Sequence, residues 1–354
     1  MKYIIISGSS DIGTAIIDDL IRKNHEIVYT YNSKKVDKFK HLTSLRLDIA
    51  SRKNIRDFAK NKEVNHWDNL VILSATQKPI GLFSEVNNED WANSVDLNFT
   101  NQMYLIREMI HKRSKKEKKI NNIILWAGTG SNSAPKYYSA YTISKIAQTK
   151  MCELLDKEFD DIKVSIIGPG WVKTKIHKQT IEAGKTAREN YDNTIARFET
   201  NRFNPMKDVV NCFNKIISLK KETAGGRNFS VQFDQWRKVD LIKILDNDKN
   251  MYKLRRDFND LQFSDLKFNI LDILNLFYKN KNFKNPNSLI YKTFKRILYM
   301  RLILESKNKV NRNNINLNDI DRLIYLFINK NKKIITKCLS PKSIKIKKLI
   351  SILK

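Results

Sequence analysis

The sequence predicts an α/β fold: a doubly wound parallel sheet followed by a C-terminal α-helical extension. Three observations predict it. Short apolar runs alternate with stretches of helical periodicity along the first 240 residues. The first of these runs breaks into a glycine-bearing turn that opens a helix. A later helix sets Tyr141 and Lys145 four residues apart, on one face, just after an apolar run that ends in small residues.

Residues 3–6 form a compact apolar run of the kind buried in a parallel sheet. Ser7-Gly8-Ser9-Ser10-Asp11-Ile12-Gly13 follows, and Thr14 to Ile21 repeats apolar positions at helical spacing. Strand, turn and helix in that order point free backbone N–H groups at a phosphate, and Gly8 and Gly13 allow the tight turn. Their spacing also fits a nucleoside-triphosphate loop. However, Thr14-Ala15 stand where Lys-Ser/Thr is required, so a dinucleotide is the better guest.

Glu26 to Tyr31 reads as the second strand. It runs into Asn32-Ser33-Lys34-Lys35, with no acidic residue to bond an adenosine ribose, which leans the cofactor choice to NADP over NAD. Further strands are expected at 44–47, 70–73, 123–127 and 163–167. A long helix is expected from Asn87 to about His111 and another over 140–159. Ligands on such sheets bind beyond the C-terminal strand ends.

A tyrosine with an ordinary pKa near ~10 is a poor base, and an ammonium beside it favours the phenolate. On this reasoning the Tyr141/Lys145 pair moves a proton to or from a carbonyl or alcohol near neutral pH. Such pairs also arise by chance on helix faces; the position of this one, downstream of the glycine turn, gives it weight.

The 354 residues carry 41% hydrophobic and 29% charged side chains, a globular balance. Of the net charge of +29, about 17 lies after Asp240. No nucleic-acid module accompanies that charge, so a nucleic-acid partner is not expected. Cys152, Cys212 and Cys338 show neither disulfide nor metal spacing, and the 5 histidines are dispersed, so no metal site is expected and a reduced, cytoplasmic setting is.

With these residues assembled, the stretch from 1 to about 235 resembles the short-chain dehydrogenase/reductase family. Tyr141-x-x-x-Lys145 matches the family's catalytic pair, and Asn98 its helix asparagine, which helps hold a water in the proton relay. Asp48 matches the aspartate that contacts adenine. The Pro169-Gly170 segment matches the one whose threonine, here Thr174, touches the nicotinamide amide. The resemblance thus implies a cofactor site from Ser7, Gly8, Ser10, Asp11, Ile12, Gly13, Asn32, Asp48, Ala75, Lys145, Pro169, Gly170 and Thr174.

Three departures stand out. Ser7 replaces the first glycine of the turn, and Leu73-Ser74-Ala75-Thr76 replaces Asn-Asn-Ala-Gly. The serine expected thirteen residues before the tyrosine is Gly128; Thr129, Ser131 or Ser133 is left to polarise the substrate oxygen, with Thr129 favoured. Failing that, Tyr141 acts alone, at a cost of about 10²-fold in turnover.

Three parts are expected: a nucleotide-binding domain over 1–240, a substrate lid within it at 175–205, and a basic helical extension over 241–354. The lid's polar and charged residues suggest a polar or anionic small-molecule substrate, such as a sugar or sugar nucleotide of surface-glycan assembly. The resemblance also implies a homodimer or homotetramer. Amphipathic stretches at 270–278, 289–304 and 320–328 and the lysine-rich tail from 332 to 354 leave peripheral membrane contact open. The alternative is a weakly catalytic, cofactor-binding protein recruited through that basic region.

Overall fold

The apolar run at the N-terminus becomes the centre of the sheet because every second side chain reaches the opposite face. In the computed structural model, the described residues are 1–255 without 118, 129, 131, 132, 235 and 239; side chains at 240, 244 and 247 are also outside the description. The strands are β1 (Lys2–Ile6), β2 (Glu26–Tyr31), β3 (Thr43–Arg46), β4 (Asn69–Ile72), β5 (Asn121–Trp126), β6 (Ile162–Gly168) and β7 (Asn228–Ser230). They pair in the order β3-β2-β1-β4-β5-β6-β7, parallel throughout.

The helices are α1 (Asp11–Arg22), α2 (Arg52–Ala59), α3 (Asn88–Val95), α4 (Asn101–Ile110), α5 (Ser139–Glu158), α6 (His177–Ala183), α7 (Glu189–Glu199), α8 (Met206–Ser218), α9 (Lys221–Ala224) and α10 (Asp240–Asn247). Tyr3 and Ile5 face α1, α8 and α10, meeting Ile16, Leu20, Phe213 and Leu245. Ile4 and Ile6 belong to the core on the opposite face, to which α2, α4 and α5 contribute Ile55, Leu105, Met109 and Cys152. Each fully buried isoleucine contributes about 1.5–3 kcal/mol, so this two-sided run anchors both layers.

Every expected strand forms within two residues of its sequence reading. The helix expected from Asn87 to His111 forms from Asn88 to Ile110; one wide π-type turn within it, Asp96–Thr100, separates α3 from α4, and Asn98 lies in that turn. The first compact unit is Met1–Arg255 and so extends beyond residue 240. Its last segment is tied down by Arg227, whose guanidinium donates to the carbonyls of Leu245, Asp248 and Met251. The stretches expected to be helical beyond 255, and the basic tail, lie outside the described residues. Among the described residues no helix is long and apolar enough to cross a membrane.

Candidate active site

The turn after β1 is built by close packing. A Cβ on Gly8 would stand 2.7 Å from Tyr29 Cβ, and one on Gly13 2.6 Å from the Gly8 carbonyl oxygen, so only glycine lets the turn settle between β2 and α1. Ser7 takes a left-handed φ of 56°. Its N–H donates to Thr30 Oγ1 at 2.8 Å and its hydroxyl shares a 2.6 Å hydrogen bond with Ser74. Ser10 caps α1 by accepting from Gly13 N at 3.1 Å.

That leaves the Asp11 and Ile12 N–H groups as orphan donors of the first turn. The Asp11 carboxylate accepts from the Lys175 N–H at 2.7 Å, joining this turn to the start of the lid. At the end of β2, Asn32 is exposed and its carbonyl accepts from Arg46 Nε at 3.2 Å. Arg46 pairs in register with Tyr31. Asp48 accepts from Ala50 N at 3.0 Å in a local turn. Free N–H groups at the turn form a donor set that fits the pyrophosphate of a dinucleotide.

Tyr141 and Lys145 stand on the first two turns of α5, both buried. Lys145 Nζ donates to the Trp126 carbonyl at 2.9 Å and to Gln148 Oε1 at 3.0 Å. It lies 5.8 Å from the centre of the Tyr141 ring. The Tyr141 hydroxyl has no hydrogen-bond partner among the described residues. This corrects the expectation of an acidified phenol. Burial, and then the neighbouring Tyr138, push the Tyr141 pKa up to about 12, while burial pushes Lys145 down to about 7. Helical spacing put the two on one face, but the lysine's amine turned to better acceptors.

Gly128 is where the tyrosine rests. A Cβ there would stand 2.7 Å from the Tyr141 hydroxyl oxygen and 2.8 Å from Lys145 Cγ. The absent serine therefore leaves no vacancy, because Tyr141 and Lys145 fill it. Thr129 and Ser131 lie outside the described residues, and Ser133 is exposed. Asn98 is fully buried and clamps the loop after β4: its Nδ2 donates to the Thr76 carbonyl at 2.8 Å and its Oδ1 accepts from Thr76 N at 2.9 Å. Ala75 of that loop packs against the cluster around Tyr141.

The lid begins at Pro169 and Gly170. Gly170 has φ +69°, and Asn204 Nδ2 donates to the Pro169 carbonyl at 2.9 Å. Thr174 follows, its carbonyl accepting from His177 N at 3.3 Å as the chain enters α6. Gln179 Oε1 then accepts from Gln77 N at 2.6 Å and Thr76 Oγ1 at 3.3 Å. The Thr180 and Tyr138 hydroxyls are 2.8 Å apart.

The lid's charges take different settings. Lys178, Lys185 and Arg188 are exposed, Arg197 lies on the Trp171 ring, and His177 is buried in a stack with Trp171. The side chains around Tyr141 are instead Ile80, Tyr138 and Ala187, with Tyr137, Ile176 and Tyr191 at the margin. Sequence reading missed Arg46, Gln102 and Gln148. Strand register and helix facing, which a single sequence does not display, would have been needed to find them.

Solved structures with the same fold include a short-chain dehydrogenase/reductase from Saccharomyces cerevisiae at 18% identity and TM-score 0.59, covering 66% of this chain and 97% of that one. A variant of actinorhodin polyketide ketoreductase with NADPH matches at 18% identity and TM-score 0.58, covering 65% and 95%. An aldohexose dehydrogenase from Thermoplasma acidophilum in ligand-free form matches at 14% identity and TM-score 0.55, covering 65% and 91%. The profile described as short chain dehydrogenase matches residues 2–185, more than half the chain. This chain therefore belongs to the short-chain dehydrogenase family and is a nicotinamide-dependent oxidoreductase.

Proposed function

We propose that this protein reduces a carbonyl on a neutral, hydroxylated ring such as a sugar, with NADP preferred over NAD. The observation that carries the reading is the Tyr141 hydroxyl, unpartnered among the described residues, held over Gly128 within a cluster of aromatic and aliphatic side chains. Tyrosine rings stack on the apolar face of a sugar while a hydroxyl and amides serve its polar edge. Arg188 of the lid lies 5.7 Å over the Tyr137 ring at the margin of this cluster, but the lining packed on Tyr141 itself is aromatic and aliphatic, which favours a neutral sugar over a sugar nucleotide.

The Asp11 and Ile12 N–H groups would hold the pyrophosphate, and Lys34, Lys35 and Arg46 would surround a 2′-phosphate. A reduced nicotinamide supplies the hydride when bound. Tyr141, neutral at pH 7 with its pKa near 12, is already in the donating form and gives its proton to the oxygen of the reduced carbonyl. With Gly128 carrying no hydroxyl, the same phenol also polarises that oxygen beforehand. Asn98 keeps the β4 loop fixed beside it. Exposed Ile143 and Leu154, three helical turns apart on α5, supply an apolar stripe for a homodimer contact.

A thermal-shift panel with the four nicotinamide forms, then neutral sugars and simple ketones with the best of them, tests the reading. NADPH at 100 times its dissociation constant raises stability by ~2.7 kcal/mol. Tyr141→Phe is expected to keep that shift and lose turnover about 10³-fold. Turnover confined to apolar ketones overturns the substrate assignment. Turnover undiminished in Tyr141→Phe overturns the mechanism and favours recruitment through the basic C-terminal region.

A further inference from the structure

Two glutamines connect Lys145 to the loop after β4. Gln148, one turn beyond Lys145 on α5, and Gln102, on α4, are fully buried. Gln102 Nε2 donates to the carbonyls of Ser74 at 2.8 Å and Leu97 at 3.2 Å. Only the N–H₂ end of an amide can face two carbonyls, so Gln102 Oε1 must point the other way, where it accepts from Gln148 Nε2. That in turn leaves Gln148 Oε1 to accept from Lys145 Nζ. The orientation is one-directional, dictated by the main chain at the end of β4.

We propose that Gln102 and Gln148 are positioning residues that present one fixed acceptor to Lys145, holding its amine below Tyr141 with one N–H left for a ligand. An ammonium has three donors, and two are used, on Trp126 and Gln148. The proposal deepens the oxidoreductase reading and rests on it for its purpose. The groups facing the Lys145 amine are the Trp126 carbonyl at the β5 end, the Tyr141 ring and Gln148 of α5 and, behind Gln148, Gln102 of α4; none is a carboxylate. Neutral acceptors alone therefore support the charge that burial disfavours, which makes Gln148 decisive for how much of the lysine is charged at neutral pH.

Heteronuclear NMR of the Lys145 Nζ resonance, assigned with Lys145→Met, tests this directly. The double variant Gln102→Leu/Gln148→Leu removes both partners together and leaves neither amide orphaned. Its lysine midpoint should fall by about one pH unit, a tenfold change in the charged fraction. The alkaline limb of kcat should fall with it. Gln148→Glu should move both upward. A purely structural pair would change stability and leave midpoint and limb in place. An active wild type whose variants keep both values overturns the relay. A wild type that neither binds NADPH nor turns it over overturns the reading the relay serves, even where the midpoint moves.

Discussion

The two edges of the sheet hold their buried cations differently. At the N-terminal edge, Lys163 near the start of β6 donates to three main-chain carbonyls of the α8 end, Ile216, Ile217 and Leu219. Lys221 likewise reaches the carbonyls of Asp156 and Ile162, and Arg227 those of Leu245, Asp248 and Met251. At the C-terminal edge, Lys145 has one carbonyl, one side-chain amide and a donor to spare. Lys163, with all three donors on backbone carbonyls, closes a helix end and has none left for a ligand. A cation that keeps a donor free, with an exchangeable acceptor, can serve a ligand.

The largest expected effect separates the two lysines outright. Lys145→Met should lower turnover about 10³-fold, ~4 kcal/mol of barrier, without loss of fold. Its stability should respond to pH in a defined direction. The unfolded chain keeps lysine protonated to about 10.5, whereas the folded protein releases that proton from about 7. Between those values the unfolded state binds more protons, so wild-type stability rises with pH. Relative to Lys145→Met it should gain up to about 1.4 kcal/mol per pH unit in that window. Urea titrations of both proteins at pH 6.5, 8 and 9.5 measure the difference; a constant gap breaks the comparison.

Lys163→Met should do the reverse, costing about 3 kcal/mol of stability through three unpaired carbonyls and leaving turnover per folded molecule unchanged. Lys163 also has Asp156 near enough to support its charge, which Lys145 lacks, and burial accordingly takes it only to about 8. Equal losses of turnover in the two variants would mean that the edges do not differ in kind.

The scaffold edge was the legible one. Apolar runs of four to six residues mark buried strands whatever lies beside them, so β1, β2, β4, β5 and β6 could be placed from their own residues, whereas β7, three residues long, was not. The glycine turn was legible for the same reason, since Gly8 and Gly13 answer to local packing. Gln102 and Gln148 were not, because glutamine on a helix reads as solvent-facing until a neighbouring helix covers it. The lid shows the same limit, because composition does not say which face a side chain takes: Lys178, Lys185 and Arg188 are exposed, whereas Arg197 lies on the Trp171 ring. Spacing placed Tyr141 and Lys145 on one side of α5 and could not reveal that Trp126 and Gln148 compete for the amine.

Gly128→Ser sharpens the reading of the functional edge. The family resemblance by itself expects restored serine chemistry and faster turnover. Here a Cβ would stand 2.7 Å from the Tyr141 hydroxyl oxygen and 2.8 Å from Lys145 Cγ, so the serine must displace both. Turnover should drop between about 10- and 100-fold, as a shift near 1 Å in a reacting group implies. An increase in kcat would mean that the site yields easily and that Tyr141 is not confined by Gly128.

The smallest effect belongs to the lid. Gln179 holds α6 to the loop after β4 through the Gln77 N–H and the Thr76 hydroxyl, and Asn98 fixes that loop from the opposite side. Gln179→Ala removes two hydrogen bonds at a site the partners can rehydrate, a change of about 1 kcal/mol. Because the latch joins lid to loop and touches neither Tyr141 nor Lys145, KM for the sugar should rise by up to about fivefold while kcat stays within a factor of two. Hydrogen exchange should quicken over residues 76–78 and 177–183 and remain unchanged at the N-terminal edge around Lys163. If exchange rose equally at both edges, the contrast between a caged scaffold and an openable site would fail at its weakest contact.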